Sequence, residues 1–275
     1  MAKNEKTAEE APKKSAAKPV TVLLTGFDAF AGEKHNPSQV LVESFPDILK
    51  GKARGPSRSA KEIHIRKQVL PTAGAKGWKI LKKAMDEAVK QAEGPVLIVM
   101  LGLAANREQL SLERFAMNFR DYRLPDNNKE LRQEETIEPK APQLLRSHLN
   151  LPQLQEVLLK AGYPSEVSNH AGTFICNELY FRALNYKRDV HAIESVLFVH
   201  LPPEKTFART AKRARHKSTP KGVAEALKGL AKAGREKQIE FMSDAIVETI
   251  INIAQENIEY PGLRKAKIAG AKSGR

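Results

Sequence analysis

The sequence predicts an α/β domain built on a mixed, mostly parallel sheet with helices on both faces. Three observations carry this. Val20–Phe27, Val96–Gly102 and Val196–Val199 are apolar runs rich in β-branched residues, as buried strands are. Segments with helical patterning separate them. With the tails set aside, about 240 residues remain, enough for one large core.

The elements follow in order. A strand over 20–26 ends in Thr25-Gly26 and leads through a glycine-containing loop with two aromatics to a helix near 37–45. Asn36 is placed to cap that helix and Pro37 to occupy its first turn, where no N–H is needed. A strand over 62–70 precedes a long helix over 73–92, and a strand follows over 95–101. Segment 114–120 reads as a further strand. A helix over 151–161 opens with Leu151-Pro152 and stops at Gly162. A strand over 165–169 comes next, then a helix starting near Cys176, with Thr173 available to cap it. A strand over 195–201 and helices over 221–233 and 238–257 complete the chain.

Composition narrows the function. The formal net charge is +14, unevenly spread. Residues 1–19 carry +2, the segment 205–237 carries +9 and residues 264–275 carry +5, which leaves the rest at about −2. The expected organisation is a basic disordered tail over 1–19, a single catalytic domain over 20–263 that includes a basic helical segment at 205–237, and a second basic tail over 264–275. The run Arg209–Lys217 could attract acidic partners, but no interleaved aromatics or fold motif points to nucleic-acid readout. The longest apolar run, 95–103, is too short to span a bilayer, and the N-terminus has no apolar signal core. One cysteine excludes an internal disulfide and fits a reducing cytoplasm. The seven histidines show no zinc spacing, and no Walker or dinucleotide loop is present, so neither metal nor cofactor is expected.

The chemistry concentrates at Cys176 and His200. Cys176 follows an Ala-Gly break at the start of a helix, where unpaired N–H groups and the dipole favour an anion. His200 ends a buried strand before Leu201-Pro202-Pro203. A lone cysteine and a distant histidine at element ends suit a cysteine hydrolase, although either residue type alone is more often part of a core.

Five motifs, in order over residues 20–203, extend this. They are Thr25-Gly-Phe-Asp-Ala-Phe-Ala-Gly32, Asn36-Pro-Ser38, Glu113-Arg-Phe-Ala-Met-Asn118 with Arg123-Leu-Pro-Asp-Asn127, Ser168–Asn177, and Phe198–Pro202. Together they resemble the pyroglutamyl peptidase I family of cysteine peptidases. The resemblance implies a three-layer α/β/α fold similar to that of purine nucleoside phosphorylase, and removal of an N-terminal pyroglutamyl residue from peptides. It implies Cys176 as nucleophile, His200 as general base and acid, and Glu113 as the carboxylate that orients the imidazole. Phe27 and Phe30 resemble the aromatic pair around the lactam ring. Asn36 belongs to the same substrate-binding set, and Arg123 resembles the arginine beside the developing oxyanion. A homotetramer is what the family often forms. Two departures lie at the ring: Ala29 stands where the family has proline and Ala31 where it has glycine. Other readings are a different small cyclic or acyl amide hydrolase, or a nucleoside phosphorylase-like enzyme, on the same fold. A basic nucleic-acid-associated non-enzyme would show steeply salt-dependent binding.

Overall fold

The computed structural model describes residues 18–51, 62–214 and 220–255. The bulk of both basic tails therefore lies outside the described residues, as does the Arg215–Lys217 end of the basic run. The elements are β1 (Val20–Phe27), α1 (Pro37–Ser44), β2 (Ile48–Lys50), β3 (Glu62–Leu70), α2 (Gly74–Gln91), β4 (Val96–Leu103), β5 (Leu110–Glu113), β6 (Phe115–Met117), β7 (Leu144–Arg146), α3 (Leu151–Ala161), β8 (Ser165–Ser168), α4 (Ile175–Asp189), β9 (Ile193–Leu201), α5 (Glu204–Arg213), α6 (Lys221–Ala226) and α7 (Arg235–Ala254).

Seven strands form one sheet in the order β2-β3-β1-β4-β9-β5-β8. Neighbours from β3 to β9 run parallel, and so do β5 and β8. The β2–β3 and β5–β9 pairs are antiparallel. The sheet is thus mixed and mostly parallel. The central strands are buried on both faces, which is why β1 and β4 read as unbroken apolar runs rather than alternating ones.

The period of two sorts their side chains. Val22, Leu24, Val99, Leu101, Leu197 and Val199 join a core with α1, α3, α5 and α7. Leu23, Ile98, Met100, Val196 and Phe198 join a second core with α2 and α4. Two helix layers enclose one sheet, a three-layer α/β/α sandwich.

The differences from the sequence reading are local. Segment 114–120 contains only the three-residue β6, which pairs with β7 in a separate two-stranded sheet. The three-residue β2 and β7 and the four-residue β5 are too short to leave a periodic signal. The expected helix over 221–233 ends at Ala226 and gives way to a 3₁₀ turn at Leu230–Lys232, because Gly229 between them adopts φ 77°. Helix α5 lies at the start of the 205–237 stretch that the sequence reads as basic and helical. Its apolar residues Phe207, Ala208 and Ala211 share one face, three and four apart. Helix α4 is not capped by Thr173: Phe174 holds the cap position without a side-chain bond, and Thr173 Oγ1 donates to the Asp121 carbonyl.

Candidate active site

The carboxyl ends of β1, β4 and β9 converge with the start of α4. Alternation on β9 turns His200 to the same face as Val196 and Phe198, which is the α4 side. On β5, Leu112 points to the opposite core, so Glu113 also faces α4. The antiparallel β5–β9 register sets Glu113 beside Phe198, within reach of His200.

The imidazole Nδ1 of His200 lies 2.7 Å from Glu113 Oε1. Cys176 Sγ lies against Gly102 of β4, the register partner of His200, and acts on the imidazole from there. Glu113 is fully buried and His200 is 6% exposed. Burial alone would lower the imidazole's affinity for a proton. The bonds to Cys176 and Glu113, and the negative charge those groups can carry, outweigh it and raise the pKa from 6.5 to about 9. A relay of thiol, imidazole and carboxylate is therefore assembled, with the imidazolium favoured at neutral pH.

Two supports hold this relay. At the end of β4, a Cβ added to Gly102 would stand 2.8 Å from the Phe198 ring and 3.0 Å from Cys176 Sγ. Only a glycine leaves the sulfur that space. On β5, the Tyr180 hydroxyl donates to the Glu113 carbonyl, and Arg107 Nη2 stands 3.8 Å from Glu113 Oε1. Arg107 also donates to Glu166, Ser111 and Ser168. Burial pulls the Glu166 carboxyl up. Hydrogen bonds from Ser111, Gln109 and Arg107 outweigh that and hold it below its ordinary value. Arg107 is thus a fixed cation facing a buried carboxylate, whose Oε2 has no hydrogen-bond partner among the described residues.

Cys176 opens onto a cavity of about 300 Å³ lined by Phe27, Phe30, Asn36, Thr72 and Phe174. Phe27 is buried against Phe198, and Phe30 meets Phe174 at 5.1 Å between ring centroids. Asn36 acts on the loop. Its Oδ1 accepts from the backbone and hydroxyl of Ser38, and its Nδ2 donates to the Asp28 carbonyl. Arg123 is set apart from the others: it lines a neighbouring cavity of about 710 Å³ with Met117, Asp121 and Leu124. Phe30 and Phe174 wall both cavities.

Several contributors went unread in the sequence. Phe174 is a third aromatic wall, and its place two residues before the cysteine was the available signal. Asp28 ties the ring loop to two distant segments. Its Oδ1 accepts from Thr72 N at 2.7 Å and from Asn127 Nδ2 at 3.0 Å, and Asn127 also donates to the Ala29 carbonyl. Ala31 adopts φ 55°, in the left-handed region, and Gly32 follows at φ 79°. The cost that a glycine would avoid is therefore present at Ala31. Deeper in α4, Glu178 is buried and bonded to Arg120, Arg182 and Tyr122, which fastens the helix start to the 118–123 loop.

The sequence profile of the pyroglutamyl peptidase family matches residues 20–232. The pyrrolidone-carboxylate peptidase of Pyrococcus furiosus is 31% identical over 193 residues, covering 70% of this chain and 86% of that protein. The protein of the same name from Bacillus velezensis is 34% identical over 192 residues, covering 69% and 82%. In structure, the pyroglutamyl peptidase I of Bacillus amyloliquefaciens superposes with a TM-score of 0.64 at 29% identity, over 89% of this chain and all of that one. The pyrrolidone carboxyl peptidase of Fervidobacterium islandicum gives 0.64 at 26% identity, over 86% and 99%.

Proposed function

The chain belongs to the pyroglutamyl peptidase family, and on that premise we propose that it is a cysteine omega-peptidase that hydrolyses an N-terminal pyroglutamyl residue from peptides. The observation that carries this reading is the Glu113–His200–Cys176 relay opening into a small cavity walled by three phenylalanines.

The chemistry follows from the groups present. The Cys176 thiolate attacks the pyroglutamyl carbonyl carbon and forms a carbon–sulfur bond, and charge collects on the carbonyl oxygen. The N–H groups at the start of α4 point toward that charge, and Arg123 is proposed to approach it from the neighbouring cavity. The imidazolium of His200 gives its proton to the leaving amine, and the amide C–N bond breaks. The neutral imidazole then takes a proton from water, whose oxygen attacks the thioester. Release of pyroglutamate returns sulfur as thiolate and His200 as imidazolium. Glu113 fixes the ring orientation and stabilises the imidazolium.

Phe27, Phe30 and Phe174 bury the flat lactam ring, and Asn36 keeps the loop that carries two of them in shape. The ring is neutral, so a free glutamyl residue, which brings charge into an apolar site, is rejected. A prolyl residue fits by shape but lacks the ring carbonyl, leaving a pocket donor unpaired at a cost of about 1–3 kcal/mol. We assign catalysis to a single domain over 20–263, place the protein in the cytoplasm on its single cysteine, and expect a homotetramer. No helix among the described residues is long and apolar enough to cross a membrane.

The test is turnover of a pyroglutamyl fluorophore amide beside prolyl and glutamyl controls. Pyroglutamyl is expected first, prolyl far behind and glutamyl inert. Similar kcat/KM for prolyl and pyroglutamyl amides would overturn the specificity. Cleavage of some other small cyclic amide alone would move the enzyme to a second reading, which the strained Ala31 beside the ring favours.

A further inference from the structure

We propose that the 710 Å³ cavity beside the ring site is a subsite for the second residue of the substrate, built for a large apolar side chain. The inference rests on the reading of the ring site above. Three observations locate it. The ring cavity is lined from the β1 and β4 side of the sheet, by Phe27, Asn36, Thr72 and Leu103. The second cavity is lined from the β5 and β8 side, by Met117, Asn169 and His170. His200 stands on β9, between β4 and β5 in the sheet order, and Cys176 Sγ lies against Gly102 of β4, the register partner of His200. A peptide with its ring in the first cavity and its scissile bond at the sulfur therefore leads its next residue into the second. Phe30 and Phe174 line both, so the two cavities are direct neighbours.

The lining states the chemistry. Phe30, Met117, Leu124 and Phe174 present apolar surface, and Leu124 leaves 54% of its area exposed. Together they form an apolar patch beside the reactive centre that a ligand's side chain can cover. Asp121 and Arg123 stand at the same cavity, and neither side chain has a hydrogen-bond or ion-pair partner among the described residues. Opposite charges left free in this way suit the N–H and C=O groups of a peptide backbone passing between them. The substrates preferred are then pyroglutamyl peptides with leucine, phenylalanine or a similar residue in second place, over glycine or aspartate.

The test is kcat/KM for four C-terminally amidated peptides, pyroglutamyl-Leu, -Phe, -Gly and -Asp, with the full chain. Leucine and phenylalanine should exceed glycine by about tenfold or more, and aspartate should be poorest. Leu124→Ala, a change at an exposed side chain that leaves the cores intact, should bring the leucine-to-glycine ratio toward unity. Cleavage of all four within about twofold would overturn the subsite while leaving the pyroglutamyl reading standing. An unaltered ratio in Leu124→Ala would overturn it equally. Cleavage of none of the four would sink the subsite and the reading together.

Discussion

The strand wall and the ring loop face each other across Cys176, and they are held by different means. Glu113 and His200 sit on β5 and β9, in backbone ladders, with exposures of 0% and 6%. The loop over 28–36 has no ladder. Side chains hold it: Asp28 to Thr72 and Asn127, Asn36 to Ser38, and Asn127 to Ala29. Residues 31–35 are exposed. The loop also holds one left-handed alanine, Ala31. On the proposed chemistry, bond breaking depends on sheet geometry, while affinity for the ring depends on a few polar contacts. Changes at the wall should therefore act on kcat and changes at the loop on KM.

The largest effect is expected at the sulfur. Cys176→Ala should lower turnover about a thousandfold or more, because groups that act as one unit are lost together. Its fold should be unchanged by circular dichroism. A variant that keeps more than about a tenth of wild-type turnover would break the comparison at its strongest point. Glu113→Gln keeps the shape but removes the charge, and should cost about 10²–10⁴-fold in kcat.

The same wall fixes the pH dependence. The imidazolium that protonates the leaving amine is held to about pH 9, so the alkaline limb of kcat should lie near 9. The sign follows from the causes: Glu113 helps raise the His200 pKa, so Glu113→Gln should shift that limb downward, toward the unperturbed 6.5. The same raised pKa contributes stability that is fully present below 6.5 and lost as pH rises through about 9. An alkaline limb that does not move in Glu113→Gln would separate the carboxylate from the imidazole.

Gly102 gives an intermediate effect. Its missing Cβ leaves room for Cys176 Sγ, so Gly102→Ala should displace the sulfur by some tenths of an ångström. Misplacement on the order of 1 Å costs about a hundredfold. A loss of roughly tenfold to a hundredfold in kcat with little change in KM is expected. A variant with full activity would show that the strand wall is more yielding than its ladders imply.

The wall was also the more legible of the two regions. Buried strands announce themselves by composition, and a histidine at the end of Val196–Val199 has few places to go. The loop's long-range ties were invisible, because a bond such as Asp28 to Asn127 spans 99 residues and leaves no local pattern. Phe174 carries no signal beyond its apolar character and its place two residues before the cysteine, and only the start of α4 one residue later sets it in the cavity wall. Arg107 has no local pattern that marks it; its contacts with Glu113 and Glu166 depend on how β5 and β8 pair. The short β5, which carries Glu113, was missed because four residues leave no periodic signal.

Smaller effects belong to the loop. Phe30→Ala removes one ring from both cavities and should raise KM by about tenfold, consistent with the loss of one buried aromatic face. It should lower kcat less, since ring burial is felt in the ground and transition states alike. A fall in kcat larger than the rise in KM would mean that Phe30 acts on the chemistry, and the division between wall and loop would fail there.

The smallest effect tests the strain itself. Ala31 holds φ 55°, a conformation that costs an L-residue about 1–2 kcal/mol. Glycine removes that cost but brings back about 0.4–1 kcal/mol of unfolded-state freedom. Ala31→Gly should therefore be stabilising by up to about 1.6 kcal/mol, a shift in Tm of a few degrees for a chain of this size. Ala29→Pro works from the other side, by restricting the loop before it binds. The Ala29 carbonyl that accepts from Asn127 is kept by proline, so the tie to the 123–127 segment survives. The double variant Ala29→Pro/Ala31→Gly should lower KM a few-fold, leave kcat within about twofold, and leave the pH limbs in place, because nothing in the strand wall changes. A kcat that moves with KM in this double variant would show that loop and wall are one mechanical unit, and the contrast between them would fall.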